Sequence, residues 1–400
     1  MEESKYIDLL LKRCLNFEKS KSLFINYDLV NKDFVDKVVS CAKKIGITDI
    51  YLDGKDIYKT HDILDKIDIE NIEKDPYFNE QIWDEYAKKN ASFLILTTEF
   101  PKVMDDIDPK KIAKATYIKT KTKPIYKEKQ ASNQIPWCIA ALPNKIWALD
   151  LFPNEENSEK LLTDLIYSVC MVDKDDPINE WNNYLKKSID IANKLNNLNI
   201  KKLHYKNSLG TDLTVTLPDE YIFVSAGSET SNMICNMPSY EVFATPDYRK
   251  TEGIVYSSKP LIHNGGLIDE FFIEFKEGKV SNYGAKKGYE LLKEIIESDS
   301  NASFLGEVAL VNYDSPISNT KVVFKTTLLD ENASCHIALG DGFPECIKNG
   351  LNSSRKELLE KGINNSTTHV DFMIGTPDLN IAALTPNGEV SIFKDGNFDL

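Results

Sequence analysis

The sequence predicts an α/β N-terminal domain built on a mostly parallel sheet, followed by an α+β C-terminal domain with a mainly antiparallel sheet. Three observations carry this fold class. The chain has 400 residues, whereas single hydrophobic cores stop growing at roughly 250–300 residues. Short apolar runs alternate with amphipathic stretches through the first half, the pattern of parallel strands joined by helical crossovers. Near residue 200 the pattern changes to short alternating segments broken by turn residues, which reads as antiparallel pairing. The expected domains are 1–198 and 199–400.

Ile7, Leu10, Leu11, Cys14 and Leu15 recur at helical spacing, and Leu23-Phe24-Ile25 follows as a short buried strand. A second helix through Phe34, Val38, Val39, Ala42 and Ile45 stops at Gly46, and Ile50-Tyr51-Leu52 forms the next strand. Further strands are expected at Phe93 to Leu96, Cys138 to Ala141 and Trp147 to Leu151. Pro177 then opens a helix with Ile178, Trp181, Leu185, Ile189, Ala192 and Leu195 on one face. Proline is suited to a first helical turn, where its missing N–H would have had no partner. In the second half, His204 to Lys206 and Leu213 to Leu217 flank a glycine turn at Gly210 as an antiparallel pair. One longer helix is expected from Lys286 to Ile296, among many short strands.

The formal net charge is −14, which argues against broad affinity for nucleic acid or anionic membrane. Arginine is confined to Arg13, Arg249 and Arg355, so the usual bidentate phosphate binder is scarce. Lysines 110, 111, 114, 119, 121, 123, 127 and 129 form one basic stretch opposed only by Glu128. Without arginines it reads as a solvated, mobile loop rather than a nucleic-acid site. The acidic opening residues and the charges at Asp8, Lys12 and Arg13 give no signal-peptide pattern, and no run reaches membrane length. Seven scattered cysteines without a C-x-x-C pair are those of a reduced, cytoplasmic protein.

Of five histidines in the chain, His336 and His369 stand in acid-flanked settings, Asp330-Glu331-Asn332-Ala333-Ser334-Cys335-His336 and His369-Val370-Asp371. On a strand, His369 and Asp371 project to the same side. One such histidine alone is most simply a buried, hydrogen-bonded ring; the two segments together favour a metal site. Imidazole with carboxylate suits Zn²⁺, Co²⁺ or Mn²⁺ better than a thiolate-seeking ion. Glu241 and Glu307 are further carboxylates bracketed by apolar or turn residues, which taken singly read as strand-edge glutamates.

These segments resemble the M29 metallo-aminopeptidases, the group of aminopeptidases T, S and PepS. The likeness runs in order through Gly210 to Val215, Asn236-Met237-Pro238 with Glu241 to Phe243, Gly306 to Leu310, Ser315-Pro316-Ile317, Asp330 to Gly340 and His369 to Gly375. A weaker likeness extends to Trp147 to Pro153 and the Trp181 helix. The resemblance implies that Glu241, Glu307, Glu331, His336, His369 and Asp371 surround two divalent metal ions, with Glu307 bridging them. Zn²⁺, Co²⁺, Mn²⁺ and Mg²⁺ all accept parts of this set, and no organic cofactor is expected. A hydroxide shared by the two ions would attack the first peptide carbonyl, with Glu241 moving the proton to the leaving amine. The implied substrates are peptides with a free N-terminus, and the implied assembly is a homodimer.

Two positions depart from the family pattern. Phe343 stands where members carry a tyrosine, and Tyr240 stands before Glu241 where Glu or Gly is usual. Losing a hydroxyl that stabilises an oxyanion can cost roughly 10²- to 10³-fold in rate. The alternative reading is therefore a catalytically weak or inactive aminopeptidase-like protein that binds peptide or metal. A phosphoesterase is disfavoured by the few arginines, and neither H-E-x-x-H nor G-x-S-x-G occurs.

Overall fold

The computed structural model describes residues 2–17, 20–227, 233–263 and 266–400. The chain packs as two units, one of Met1–Asn182 with Glu229–Ser239 and one of Asn183–Ser228 with Tyr240–Leu400. Residue 198 lies just past the end of the helix Pro177–Asn197, whereas the packing divides within that helix.

The first unit holds a parallel sheet in the order Asp49–Lys55, Ser22–Asp28, Ser92–Thr97, Trp137–Ala141 and Asn236–Met237. Leu23, Phe24 and Ile25 are all fully buried, as a strand covered on both faces requires. On one side Phe24, Trp83, Phe93 and Tyr126 form an aromatic core, with the rings of Trp83 and Tyr126 4.7 Å apart.

Two expectations are corrected in this unit. Trp147 to Leu151 is part of a helix, Lys145–Leu151, because the Asn144 side chain caps it by accepting from the Trp147 N–H at 2.8 Å. A short apolar run does not itself distinguish strand from helix, and the cap decides. The lysine-rich stretch is likewise not a loop. It forms the helices Pro109–Lys121 and Pro124–Ala131, each with proline in its first turn, the former capped by Asp108.

The second unit is built from antiparallel strands. Among the described residues, nine belong to one sheet, whose path runs from Leu261–His263 through Gly266–Lys276, Glu252–Tyr256, Asp212–Thr216, Lys202–Lys206, Asn380–Thr385 and Gly388–Lys394 to Asn397–Phe398. Lys279–Lys287 pairs with Gly266–Lys276 off this path. Five more form a second sheet: His369–Met373, His336–Gly340, Leu305–Leu310, Val242–Ala244 and Val224–Ser225, in that order. Leu213, Val215, Ile273, Val308, Ile337 and Phe372 share one core. The helix expected from Lys286 runs instead over Tyr289–Glu297, because Lys279–Lys287 is still strand and Gly288, at φ +74°, makes the break. No helix among the described residues is long and apolar enough to cross a membrane.

Past the Val242–Ala244 strand, the Asp247 carboxylate is almost fully buried and bound by Arg249 through Nε at 2.7 Å and Nη2 at 2.9 Å, and by Lys250 at 2.9 Å. Burial opposes its ionisation, but these cations outweigh burial and hold the carboxyl below its usual range. Asp247→Asn is expected to cost about 1.5–3 kcal/mol at neutral pH, the net worth of hydrogen bonds to a charged group. A depressed folded pKa stabilises above the unfolded value near about 4 and loses that contribution as pH falls through the folded value. Urea denaturation of the two proteins at pH 7 and below pH 4 measures the gap, which should narrow in acid.

Candidate metal centre

The five-stranded sheet sorts its residues by alternation. Pairing sets Ala309 opposite both Phe243 and His336, Ala338 opposite both Glu307 and Asp371, and Gly340 opposite His369. Alternate residues share a face, so Phe243, Glu307, His336, His369 and Asp371 lie on one side. Glu241 stands two residues before Phe243. The intervening Val242, Ala244, Val308, Leu310, Ile337, Leu339, Val370 and Phe372 face the hydrophobic core.

One irregularity serves this arrangement. Leu305 and Glu307 would share a face in a regular strand, yet Leu305 pairs with Leu339 on the core side and Glu307 with Ala338 on the other. The register shift between them is a bulge that re-aims the glutamate. Gly306 sits in the bulge, where a Cβ would lie 2.1 Å from the Asp341 carbonyl oxygen. Only glycine tolerates so close a backbone approach.

The structure gathers two groups of side chains, each able to offer three ligand atoms within 4.8 Å of one another. Glu241, Glu307 and His336 make one; Glu307, His369 and Asp371 make the other. Glu307 belongs to both. His336 Nε2 is 3.2 Å from Glu241 Oε2, and His369 Nε2 is 3.1 Å from Glu307 Oε2 and 3.2 Å from Asp371 Oδ1. The His369 Nδ1–H donates to the Asp341 carbonyl at 2.8 Å, the partnership that leaves the other ring nitrogen to a metal. Glu331 is buried on the turn Glu331–Ala333 and is not in either group, although its charge is felt together with those of Asp371, Glu241, His336 and Glu307.

Four carboxylates and two imidazoles meet here, so acid exceeds base. Burial pushes Glu307 up to about 7, with His369 opposing and Asp371 adding. Burial also raises Glu331, and Asp371 and Glu241 raise it further. His336 is lowered by burial, but Glu241, Glu307 and Asp371 outweigh this and carry it to about 10. Burial lowers His369 as well, but Asp371 and Glu307 outweigh it and raise the ring well above the usual imidazole range. Burial would raise Asp371, yet His369 holds it at about 2. Asp371 Oδ1 is buried against His369 Nε2. Buried carboxylates that outnumber the imidazoles beside them leave excess negative charge on hard oxygen donors, which fits a site for divalent cations.

Phe343 lies beside these groups, its ring 4.8 Å from His369 and 5.3 Å from Phe243. Tyr240 is buried, with its ring edge-on to Tyr184 at 5.0 Å and its N–H donating to Asn332 Oδ1 at 2.6 Å. Three neighbours escaped the reading of the sequence. Phe243 was legible as the residue two beyond Glu241 on a strand. Asp341 acts through its main chain, which leaves no side-chain signal, and Asn332 resembles any buried asparagine.

Removing His336 or His369 by alanine should lower the amount of bound metal, because each would supply one of very few nitrogen ligands. His61→Ala and His263→Ala should leave metal content unchanged. Metal analysis by mass spectrometry on the four proteins decides, and equal content in all would make the cluster structural.

Residues 2–398 match the family model described as Thermophilic metalloprotease (M29). The chain is 34% identical to Aminopeptidase 2 of Geobacillus stearothermophilus over 99% of its own length and 97% of that protein's. It is also 34% identical to Aminopeptidase AmpS of Bacillus subtilis, over 98% of this chain and 97% of that one. The solved structure of wild-type AmpT from Thermus thermophilus superposes with a TM-score of 0.89 at 27% identity, covering 100% of this chain and 99% of that one. A match over nearly the whole chain, with a cluster suited to divalent cations at its centre, establishes that this protein belongs to the M29 family of metalloproteases and is a peptide hydrolase.

Proposed function

We propose that this chain is an aminopeptidase that removes N-terminal residues from peptides with two divalent cations, Zn²⁺, Co²⁺, Mn²⁺ or Mg²⁺. Glu241, Glu307, Glu331, His336, His369 and Asp371 would hold them. The observation that carries this reading is Glu307, the one side chain common to both ligand groups. A carboxylate common to two cations would relieve their mutual repulsion. Bound there, the cations supply Lewis acidity and lower the pKa of a water molecule.

The chain's own residues do the rest. Glu241, 3.2 Å from His336, would carry a proton to the leaving amine. The acidic wall that includes Glu331 would receive the substrate's cationic α-amino group, which restricts cleavage to the chain end. The ring of Phe343, against those of Phe243 and His369, lines this side of the site with hydrocarbon. In this reading 199–400 is the catalytic domain. A cytoplasmic homodimer is part of the same proposal, and seven cysteines with no disulfide among the described residues suit that compartment. The relatives named above are called aminopeptidases, which supports the assignment. A peptide- or metal-binding protein without turnover is the second reading, and it is favoured by the ring of Phe343 where a phenol is expected.

Acetylating a peptide's N-terminus should abolish cleavage while changes at its far end matter little. Liquid chromatography of the products checks this, and efficient cutting of blocked peptides would point to an endopeptidase.

Phe343→Tyr adds one oxygen beside His369 and should raise kcat by about tenfold or more, roughly 1.4 kcal/mol, if a lost phenol attenuates the enzyme. If it does nothing while Tyr240→Phe cripples kcat, the hydroxyl at Tyr240 serves instead. If neither change matters and amino-acid p-nitroanilides are never turned over, the binding-protein reading is the better one.

A further inference from the structure

We propose that Asp299 is a positioning residue for His369, acting through the three residues that precede it; the inference rests on His369 being a metal ligand, as read above. His369 is the first residue of its strand, so where its ring leaves the main chain is inherited from Ser366-Thr367-Thr368. One oxygen of Asp299 grips that segment. Its Oδ2 accepts from Ser366 Oγ, Thr367 N and Thr367 Oγ1, each at 2.7 Å, while Oδ1 accepts from Asn301 N at 2.8 Å. Hydrogen bonds to a carboxylate at this length are among the stronger ones in proteins.

Asp341 holds the same segment from its other side. Its N–H donates to the Thr368 carbonyl at 2.7 Å, and its Oδ1 accepts from Ser366 N at 3.2 Å. Its carbonyl is the acceptor for His369 Nδ1–H at 2.8 Å. A shift of 366–368 therefore moves both the ring's attachment and the carbonyl that sets its rotation. Nε2 faces Glu307 and Asp371 only while both are fixed. Among the described residues Asp299 bonds to Ser366, Thr367 and Asn301 and not to the ring or those acids, and nothing in its sequence setting, Ser298-Asp299-Ser300-Asn301, distinguishes it from a surface turn.

The test is uptake of Co²⁺ by the full chain, with the dissociation constant from competition with a chelator and the visible spectrum as a report of ligand geometry. Asp299→Ala should weaken binding by roughly tenfold or more and alter the spectrum, the size of effect seen when a ligand's supporting partner is removed. Asp299→Asn keeps an acceptor oxygen and should stay within about threefold of the unaltered chain. A merely structural aspartate would lower thermal stability without moving the cobalt spectrum. Unchanged affinity and spectrum in Asp299→Ala would overturn the proposal. If that variant does not fold, the double change Ser366→Ala with Thr367→Val, which removes two donors and keeps the Thr367 N–H, is read instead: weakened binding supports the proposal, and unchanged binding overturns it. No uptake by the unaltered chain would overturn the ligand reading and this inference with it, whereas equal uptake by all variants removes only the role of Asp299.

Discussion

Side chains alternate along a strand, and in the sheet that runs from His369–Met373 to Val224–Ser225 this alternation separates charge from hydrocarbon. Val308, Ile337, Val370 and Phe372 hold the sheet on its core while Glu307, His336, His369 and Asp371 are carried on the other side. A slip of one residue in any pairing would bury the acids in the core and expose the aliphatics, so the apolar packing of one face specifies the geometry of the other. The bulge at Gly306 is the exception that this rule demands. It alone lets Leu305 and Glu307, two residues apart, face opposite ways.

Crowding buried carboxylates is costly, since each loses hydration and repels its neighbours. Here the cost is visible in Glu307 and Glu331, both pushed above the ordinary carboxylate range. The sheet bears it because the core beneath is large and continuous, with Leu213, Val255, Ile273 and Ile381 of the nine-stranded sheet packed in the same cluster. Local discord of this kind within an otherwise consistent fold is where function is expected. Divalent cations would relieve the repulsion, and their binding energy would then add to folding energy.

Much of this was legible beforehand, and the failures have particular causes. The unbroken apolar runs at Leu23 to Ile25 and Phe93 to Leu96, the periodic helix from Pro177 and the alternating pair around Gly210 all form. Trp147 to Leu151 was misread because its cap, Asn144, lies outside the apolar run. The lysine-rich stretch was misread because high charge was taken for disorder, although Pro109 and Asp108 mark a helix start. Residues of the candidate centre were legible where chemistry is carried by side chains in distinctive motifs. Asp341, working through a carbonyl, and Asp299, working through a turn, carry no such mark.

By itself the sequence determined the fold class and the family and singled out the acids and imidazoles of the candidate centre, because periodicity and side-chain type are local properties. Only the tertiary structure decided that Glu307 is common to both ligand groups, that Glu331 stands outside them, and that Phe343 lies against His369. Those relations depend on register between strands more than twenty residues apart in the chain and on one bulge. Register is set by the packing of a whole sheet face, which no single segment encodes.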